Sequence, residues 1–154
     1  MDKKSVLLTQ QGYDNLKKEY ESLKSDKLPA TIKRVARARE FGDLAENSEY
    51  HAAREDLAWI QGRIEELADI LGRAKISSDQ GRDGEVFVGC RVTLDVNGTE
   101  HEFSIVGEWE ADPAQKKISH QSPLGQALVG KKPGDRVEVE APAGKIIYTI
   151  KKID

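Results

Sequence analysis

A repeat of apolar residues at alternating three- and four-residue spacing constrains this chain more than any other feature. The repeat comprises Tyr50, Ala53, Leu57, Ile60, Ile64, Leu67 and Leu71. This spacing places an apolar stripe along one side of a helix and is typical of a helix packed lengthwise on another. A matching stripe lies upstream at Tyr13, Leu16, Tyr20 and Leu23. Together the two stripes predict an antiparallel hairpin of long helices.

The limits of the first helix are indicated by capping and proline signals. Thr9 can cap its first turn through the side-chain hydroxyl, and the helix should run to about Glu40. Pro29 lacks an amide proton and crowds the preceding turn, which predicts a kink at residues 28–29. The apolar face should resume beyond the kink at Ile32, Val35 and Ala38.

The pattern changes near residue 78, which predicts a helical domain over 1–78 and a second domain over 79–154. A polar, glycine-containing stretch at 77–84 reads as the linker. Beyond it, Asn97-Gly98 is a strong hairpin turn, and Ser122-Pro123 is a signal for the start of a short helix. The predicted strands cover 86–88, 91–96, 100–107, 137–139 and 146–153. The expected fold class is α+β, with a helical hairpin followed by an antiparallel β domain that carries one short helix.

Composition limits the possible classes of partner. The 154 residues carry a formal net charge of −3, which argues against binding nucleic acid by bulk electrostatics alone. We find no stretch that approaches the roughly 20 apolar residues of a membrane span and no signal-like start. We therefore expect a cytoplasmic protein that does not associate with membranes. We also expect a monomer.

Two acids, Asp43 and Glu46, lie three residues apart in the glycine-marked turn between the helices. One interpretation is structural: the two could form a capping box that starts the second helix. The other is chemical, because carboxylates are the hard oxygen ligands that Mg²⁺ prefers. Two carboxylates make an incomplete site, so in that case the remaining ligands would come from another molecule.

A short basic run precedes the turn. No acid occurs between Asp26 and Glu40, and the run contains Lys27, Lys33, Arg34, Arg37 and Arg39. The run could be a solvated helix face or a contact for an anionic partner. The sequence contains no zinc motif, nucleophile elbow or glycine-rich phosphate loop, which disfavours a self-contained enzyme.

Three segments of the chain resemble bacterial Gre transcript-cleavage factors, specifically the GreA type. They are AREFGDLAENSEYHAARE at the turn, LLTQQGYDNLKKEYESL near the start, and ISHQSPLGQALVGKKPGDRVEVEAPAG in the second half. The resemblance spans almost the whole chain. It implies a coiled-coil hairpin with an acidic tip and an FKBP-like globular domain that docks on RNA polymerase. The resemblance to the FKBP fold does not carry prolyl isomerase activity with it.

The resemblance also implies a function. The hairpin would enter the secondary channel of bacterial RNA polymerase, and its tip would stimulate the polymerase to cleave the extruded 3′ end of backtracked nascent RNA. The chain would be a cofactor of that reaction and no enzyme in its own right. Asp43 and Glu46 match the two acidic tip positions of the family, where they would help hold a Mg²⁺ shared with the polymerase, which the free protein would not bind stably.

Four basic residues are carried over as RNA contacts. Arg39 and Arg54 match basic positions that flank the tip, while Arg37 and Lys33 are weaker candidates. A second hypothesis stays open: a binding protein that occupies the same channel and regulates the polymerase without supporting cleavage. The intact acid pair favours the cleavage factor.

Overall fold

The structure, a computed structural model, describes residues 4–77 and 84–154. Its helices and strands follow the chain in the order β1 (Val6–Leu8), α1 (Gln10–Ser22), a π-helical segment (Leu23–Lys27), α2 (Leu28–Arg39), α3 (Ser48–Arg73), β2 (Ala74–Ile76), β3 (Arg91–Val96), β4 (Thr99–Val106), β5 (Lys117–Ser119), α4 (Pro123–Leu128), β6 (Arg136–Ala141) and β7 (Gly144–Ile153). Short 3₁₀ turns at Glu108–Glu110 and Pro113–Gln115 lie between β4 and β5. The predicted α+β class is confirmed.

Two compact units divide the chain. One is Asp14–Arg73, which contains the helical hairpin, and the other is formed by the chain on either side of it. This division differs from the predicted 1–78 and 79–154, because β1 pairs in parallel with β2 and Leu7 packs against the core of the sheet. The predicted linker falls mostly on residues 78–83, which lie outside the described residues.

In the hairpin unit, the predicted seam of α3 is confirmed. Every third or fourth residue from Tyr50 to Leu71 is buried or half-buried, and Ala53 and Leu67 are fully buried. Val35 and Ala38 of α2 form a buried cluster with Tyr50 and Ala53. Ile32 was expected on the same face, but 49% of it is exposed because the apolar face of α2 narrows to Val35 and Ala38.

The predicted interruption at Pro29 has a specific form. The π-helical segment Leu23–Lys27 precedes α2, and the amide of Leu28 donates to the carbonyl of Leu23, five residues back. Pro29 then lies in the first turn of α2, directly after the π-helical segment. The wider turn therefore lets the helical path continue where an α-helix would clash with the proline ring.

In the other unit, five strands form one sheet in the order β5-β4-β3-β7-β6. The turn at Asn97-Gly98, with φ of 53° and 84°, joins β3 to β4 as predicted. The sheet is antiparallel except at its edge, where β5 pairs in parallel with β4. Ser122 caps α4 by accepting from the amide of Gly125 at 3.0 Å. Four side chains are fully buried in the core of this unit: Leu94, Ile105, Leu128 and Ile150.

The strand predicted over 86–88 is wrong. Val86 and Val88 are nonetheless buried, 2% and 6% exposed. Val86 exchanges two backbone hydrogen bonds with the turn after α4, to Lys131 and from Gly130. The apolar residues at 86–88 are therefore buried in the core without forming a β-strand.

One acidic side chain fixes the start of α1. The carboxylate of Glu110 accepts from the Thr9 amide at 2.9 Å, from the Thr9 hydroxyl, and from the Gly107 amide at 3.1 Å. The Thr9 hydroxyl in turn accepts from the amide of Gly12 at 3.0 Å, which confirms the predicted cap. We call these four residues the Glu110 junction.

Candidate functional site at the hairpin tip

The tip is the turn over residues 40–47 that joins α2 to α3. Backbone hydrogen bonds from Phe41 to Ala38 and from Gly42 to Arg39 close the end of α2. Gly42 then adopts φ +102°, a left-handed conformation that glycine accepts without steric cost. Residues 40–46 are all exposed. The local sequence thus folds into a tight reversal that presents its side chains outward.

Asn47 closes the tip and caps α3. Its side-chain oxygen accepts from the amide of Tyr50 at 3.0 Å, and its side-chain amide donates to the carbonyl of Ala38 at 2.7 Å. The cap stabilises the first turn of α3, and the second bond ties that turn to the end of α2. Asn47 directly precedes the helical pattern of α3, which is a recognised position for a cap residue.

The capping-box interpretation of the two acids is therefore wrong for α3. The cap position belongs to Asn47, and Asp43 lies too far upstream to reach the first turn. Asp43 makes a local turn instead, its Oδ1 accepting from the amide of Ala45 at 3.1 Å. This bond fixes the backbone beside the carboxylate, and the second oxygen makes no hydrogen bond within the described residues.

Glu46 is exposed, and within 4–77 and 84–154 its carboxylate makes no hydrogen bond or ion pair. No cluster of three or more possible metal ligands is found in the described part of the chain. The donor set at the tip is a pair of carboxylates, which suits Mg²⁺ in chemical type but supplies only part of an octahedral shell. Their metal role stays a prediction.

Arg39 and Arg54 meet at Tyr50. The guanidinium carbon of each lies 5.7 Å from the centre of the Tyr50 ring, one from α2 and one from α3. The Tyr50 ring is 5% exposed and packs in the seam. The pKa of Tyr50 is lowered, chiefly by a hydrogen bond from Arg39 and also by the charge of Arg54. The two predicted RNA contacts thus form one exposed pair of cations beside the tip.

Lys33 and Arg37 lie on a different face of α2. They line a surface groove of about 340 Å³, together with Ala30, Arg34, Ala38, Phe41 and Glu49. The structure therefore divides the four predicted RNA contacts into two pairs. Arg37 and Lys33 are one pair, and Arg39 and Arg54 are the other.

Arg34 belongs to the basic run, but its side chain connects the two helices of the hairpin. Its guanidinium bonds Glu49 at 2.7 Å and Asp56 at 2.6 Å, which joins α2 to α3. These bonds raise the pKa of Arg34, and the hydrogen bond from Arg34 lowers the pKa of Glu49. Sequence reasoning did not distinguish Arg34 from its neighbours, because a cross-helix partner leaves no local pattern.

Comparison with known proteins matches both halves of the chain to one family. Residues 6–76 match the family model described as transcription elongation factor, N-terminal, and residues 81–154 match transcription elongation factor, GreA/GreB, C-term. Transcription elongation factor GreA of Paracoccus denitrificans is 44% identical over 147 residues, covering 94% of each chain. The GreA of Lactococcus lactis subsp. lactis is 45% identical over 159 residues, covering 98% of this chain and 99% of the relative.

One similar solved structure is the crystal structure of GreA factor homolog 1 of Thermus thermophilus. The match covers 98% of this chain and 99% of that protein's chain. The two sequences are 32% identical, and the TM-score is 0.46. Within the described residues, no helix is both long and apolar enough to cross a membrane.

Proposed function

The chain belongs to the GreA/GreB family of transcription elongation factors, and on that basis we propose that it stimulates RNA polymerase to cleave backtracked nascent RNA. The observation that carries the proposal is the state of the tip acids. Asp43 contributes one local hydrogen bond, Glu46 contributes none, and the cap of α3 is supplied by Asn47. Two exposed carboxylates that together make one local hydrogen bond are available to a partner molecule.

The partner in this proposal is bacterial RNA polymerase with the extruded RNA 3′ end. The globular unit would dock at the rim of the secondary channel, and the hairpin would carry its tip to the active centre. The buried cluster next to the tip contains two alanines, Ala38 and Ala53, whose small side chains would let the two helices approach closely. This geometry suits entry into a confined channel.

Asp43 and Glu46 would hold a Mg²⁺ jointly with the polymerase. When bound there, the ion would activate the attacking water and stabilise charge on the scissile phosphate. The turn at Asp43 restricts its carboxylate before binding, which lowers the entropy lost on forming the site. Arg39 and Arg54 would attract the RNA phosphates and position the strand next to the acids.

The reaction itself would belong to the polymerase. Two tip carboxylates do not complete a metal shell, and no cluster of three or more possible metal ligands is found in the described part of the chain. We therefore expect the purified chain to leave free RNA intact in the presence of Mg²⁺.

Cleavage in defined stalled complexes tests the proposal. Backtracked elongation complexes with a 5′-labelled transcript are incubated with Mg²⁺ in the presence and absence of the chain. We expect the transcript to shorten faster with the chain, to release mainly dinucleotides and trinucleotides, and to be extended again when nucleotides are added. Binding to the complex without faster shortening would contradict the proposal and would support the non-cleaving channel regulator.

A further inference from the structure

Phe41 is the most exposed large apolar side chain in the described part of the protein, with 77% of its surface open to solvent. It lies at the tip, two residues after the end of α2 and two residues before Asp43. An aromatic ring in this position contributes nothing to the hairpin seam, which is filled by Val35, Ala38 and Tyr50. The exposed ring is therefore available to a partner outside the hairpin.

Phe41 ends a row of side chains along one face of α2. Lys33 and Arg37 lie four residues apart on α2, which places them above one another, and Phe41 follows after the same interval in the turn that closes the helix. The rise between Lys33 and Arg37 is about 6 Å. All three line the groove described above, and Ala30 and Ala38 leave room beside them. The result is a shallow track with two cations and an aromatic ring at its tip end.

The track carries a net positive charge. Its one carboxylate, Glu49, is paired with Arg34 at 2.7 Å, and Arg34 is bonded again by Asp56. Lys33 and Arg37 are exposed, and no acidic partner for either is found within the described residues. The charge is therefore suited to an anionic chain, and the ring is suited to a flat apolar group.

We propose that the Lys33–Arg37–Phe41 track binds the extruded single-stranded RNA, with one base stacked on Phe41 and backbone phosphates next to Lys33 and Arg37. Single strands are recognised by this combination of a basic groove and an exposed aromatic ring. The inference rests on the proposed function for the identity of the RNA. It adds Phe41 as a nucleotide contact, in a groove that Arg39 and Arg54 do not line.

The stacking role can be separated from a simple apolar contact with the polymerase. A second apolar side chain at the tip, Leu44, is 43% exposed. An apolar contact with the polymerase could use an aliphatic side chain such as leucine as well as an aromatic ring. A base prefers the flat face of a ring, and an aliphatic side chain of similar size cannot replace it. Phe41→Tyr keeps the ring, Phe41→Leu keeps only the apolar character, and Phe41→Ala removes both.

The test is photocrosslinking of full-length protein to a backtracked complex whose extruded 3′-terminal nucleotide is 4-thiouridine. The measurement is made in the Asp43→Asn, Glu46→Gln background, so that the transcript is not consumed. We expect Phe41→Tyr to crosslink like the parent, and Phe41→Leu and Phe41→Ala to require at least about fivefold more protein for half-maximal yield. Arg37→Gln and Lys33→Gln should reduce the salt dependence of the yield.

Three results would overturn the inference. Unchanged crosslinking in Phe41→Ala would remove the ring from the RNA path. Parent-like yield in Phe41→Leu, combined with loss in Phe41→Ala, would assign Phe41 to a protein contact. Unchanged salt dependence in both cation variants would remove the track. Because crosslinking needs no cleavage, these results are distinct from a failure of the proposed function, which shows as absent cleavage with the unmodified tip.

Discussion

The hairpin tip and the Glu110 junction use the same chemical group in opposite ways. At the junction, the half-buried carboxylate of Glu110 accepts from Thr9 and Gly107 and thereby holds segments about a hundred residues apart in sequence. At the tip, Asp43 bonds only Ala45, two residues away, and Glu46 bonds nothing within the described residues. An acid that accepts from distant backbone amides supports the fold, whereas an acid that the fold leaves unused is available to a partner.

The largest expected effect concerns the tip alone. We predict that Glu46→Gln lowers transcript cleavage by about 10- to 100-fold or more, since a metal ligand should matter at least as much as an outer-shell group. The thermal midpoint should not change, because Glu46 supports no described contact. Raising the Mg²⁺ concentration should restore part of the rate, since Asp43 remains. A lower thermal midpoint in this variant would show that Glu46 supports the fold, as Glu110 does, and would contradict the contrast between the tip and the junction.

The second prediction concerns the junction. Glu110→Ala should reduce the free energy of unfolding by about 2 kcal/mol, because partly buried donors of Thr9 and Gly107 lose a charged acceptor. Chemical denaturation measures the change. Glu108→Ala is the matched control, since Glu108 is exposed in the same 3₁₀ turn and should change stability by less than about 0.5 kcal/mol. If Glu110→Ala lowered the free energy of unfolding no more than Glu108→Ala does, the Glu110 contacts would contribute no stability.

The third prediction compares two helical glycines. A Cβ at Gly12 would lie 2.0 Å from Cδ of Glu110, whereas nothing lies within 4 Å of a Cβ at Gly62. Gly62→Ala should therefore stabilise the protein by about 0.5–1 kcal/mol through helix propensity alone. Gly12→Ala should destabilise it, because the Glu110 carboxylate must leave its bonded position. Paired thermal melts decide, and stabilisation by both substitutions would mean that the junction can rearrange freely.

The smallest expected effect is electrostatic and lies between the two helices. Arg34 lowers the pKa of Glu49 in the folded state, so this pair contributes stability above the unfolded pKa of Glu49 and loses it as the pH falls through the lowered pKa. Glu49→Gln should slightly lower stability above the unfolded pKa of Glu49, where the pair is formed, and should change it less at low pH, so that the acid side of a stability-against-pH curve becomes slightly flatter. An unchanged acid limb would show that the exposed pair contributes nothing measurable.

Features with a strong local signal were predictable from the sequence. The seam of α3, the Asn97-Gly98 turn and the Ser122 cap each depend on residues close together in the chain, and the structure confirms all three. The parallel pairs β1–β2 and β4–β5 were not predicted, because strands of three residues with distant partners carry no periodic pattern. The contacts that decide their pairing appear only in the folded chain.

The candidate site shows the same limit. The acid pair was visible in the sequence, but its alternative as a cap could be rejected only when the structure gave that position to Asn47. Arg34 and Arg37 look equivalent in the basic run, yet cross-helix bonds to Glu49 and Asp56 engage the first and leave the second in the groove. The sequence did not indicate that Phe41 is exposed, because its exposure depends on where α2 ends.

The most direct test is the rate of transcript shortening in a backtracked complex with the Asp43→Asn, Glu46→Gln double variant at saturating concentration. Both changes keep the side-chain size, and Asn47 still caps α3, so polymerase affinity and thermal midpoint should match the parent protein. The account predicts that stimulated cleavage falls to the level of the polymerase alone while binding persists. Near-normal cleavage at unchanged affinity would contradict it and remove the tip acids from the mechanism.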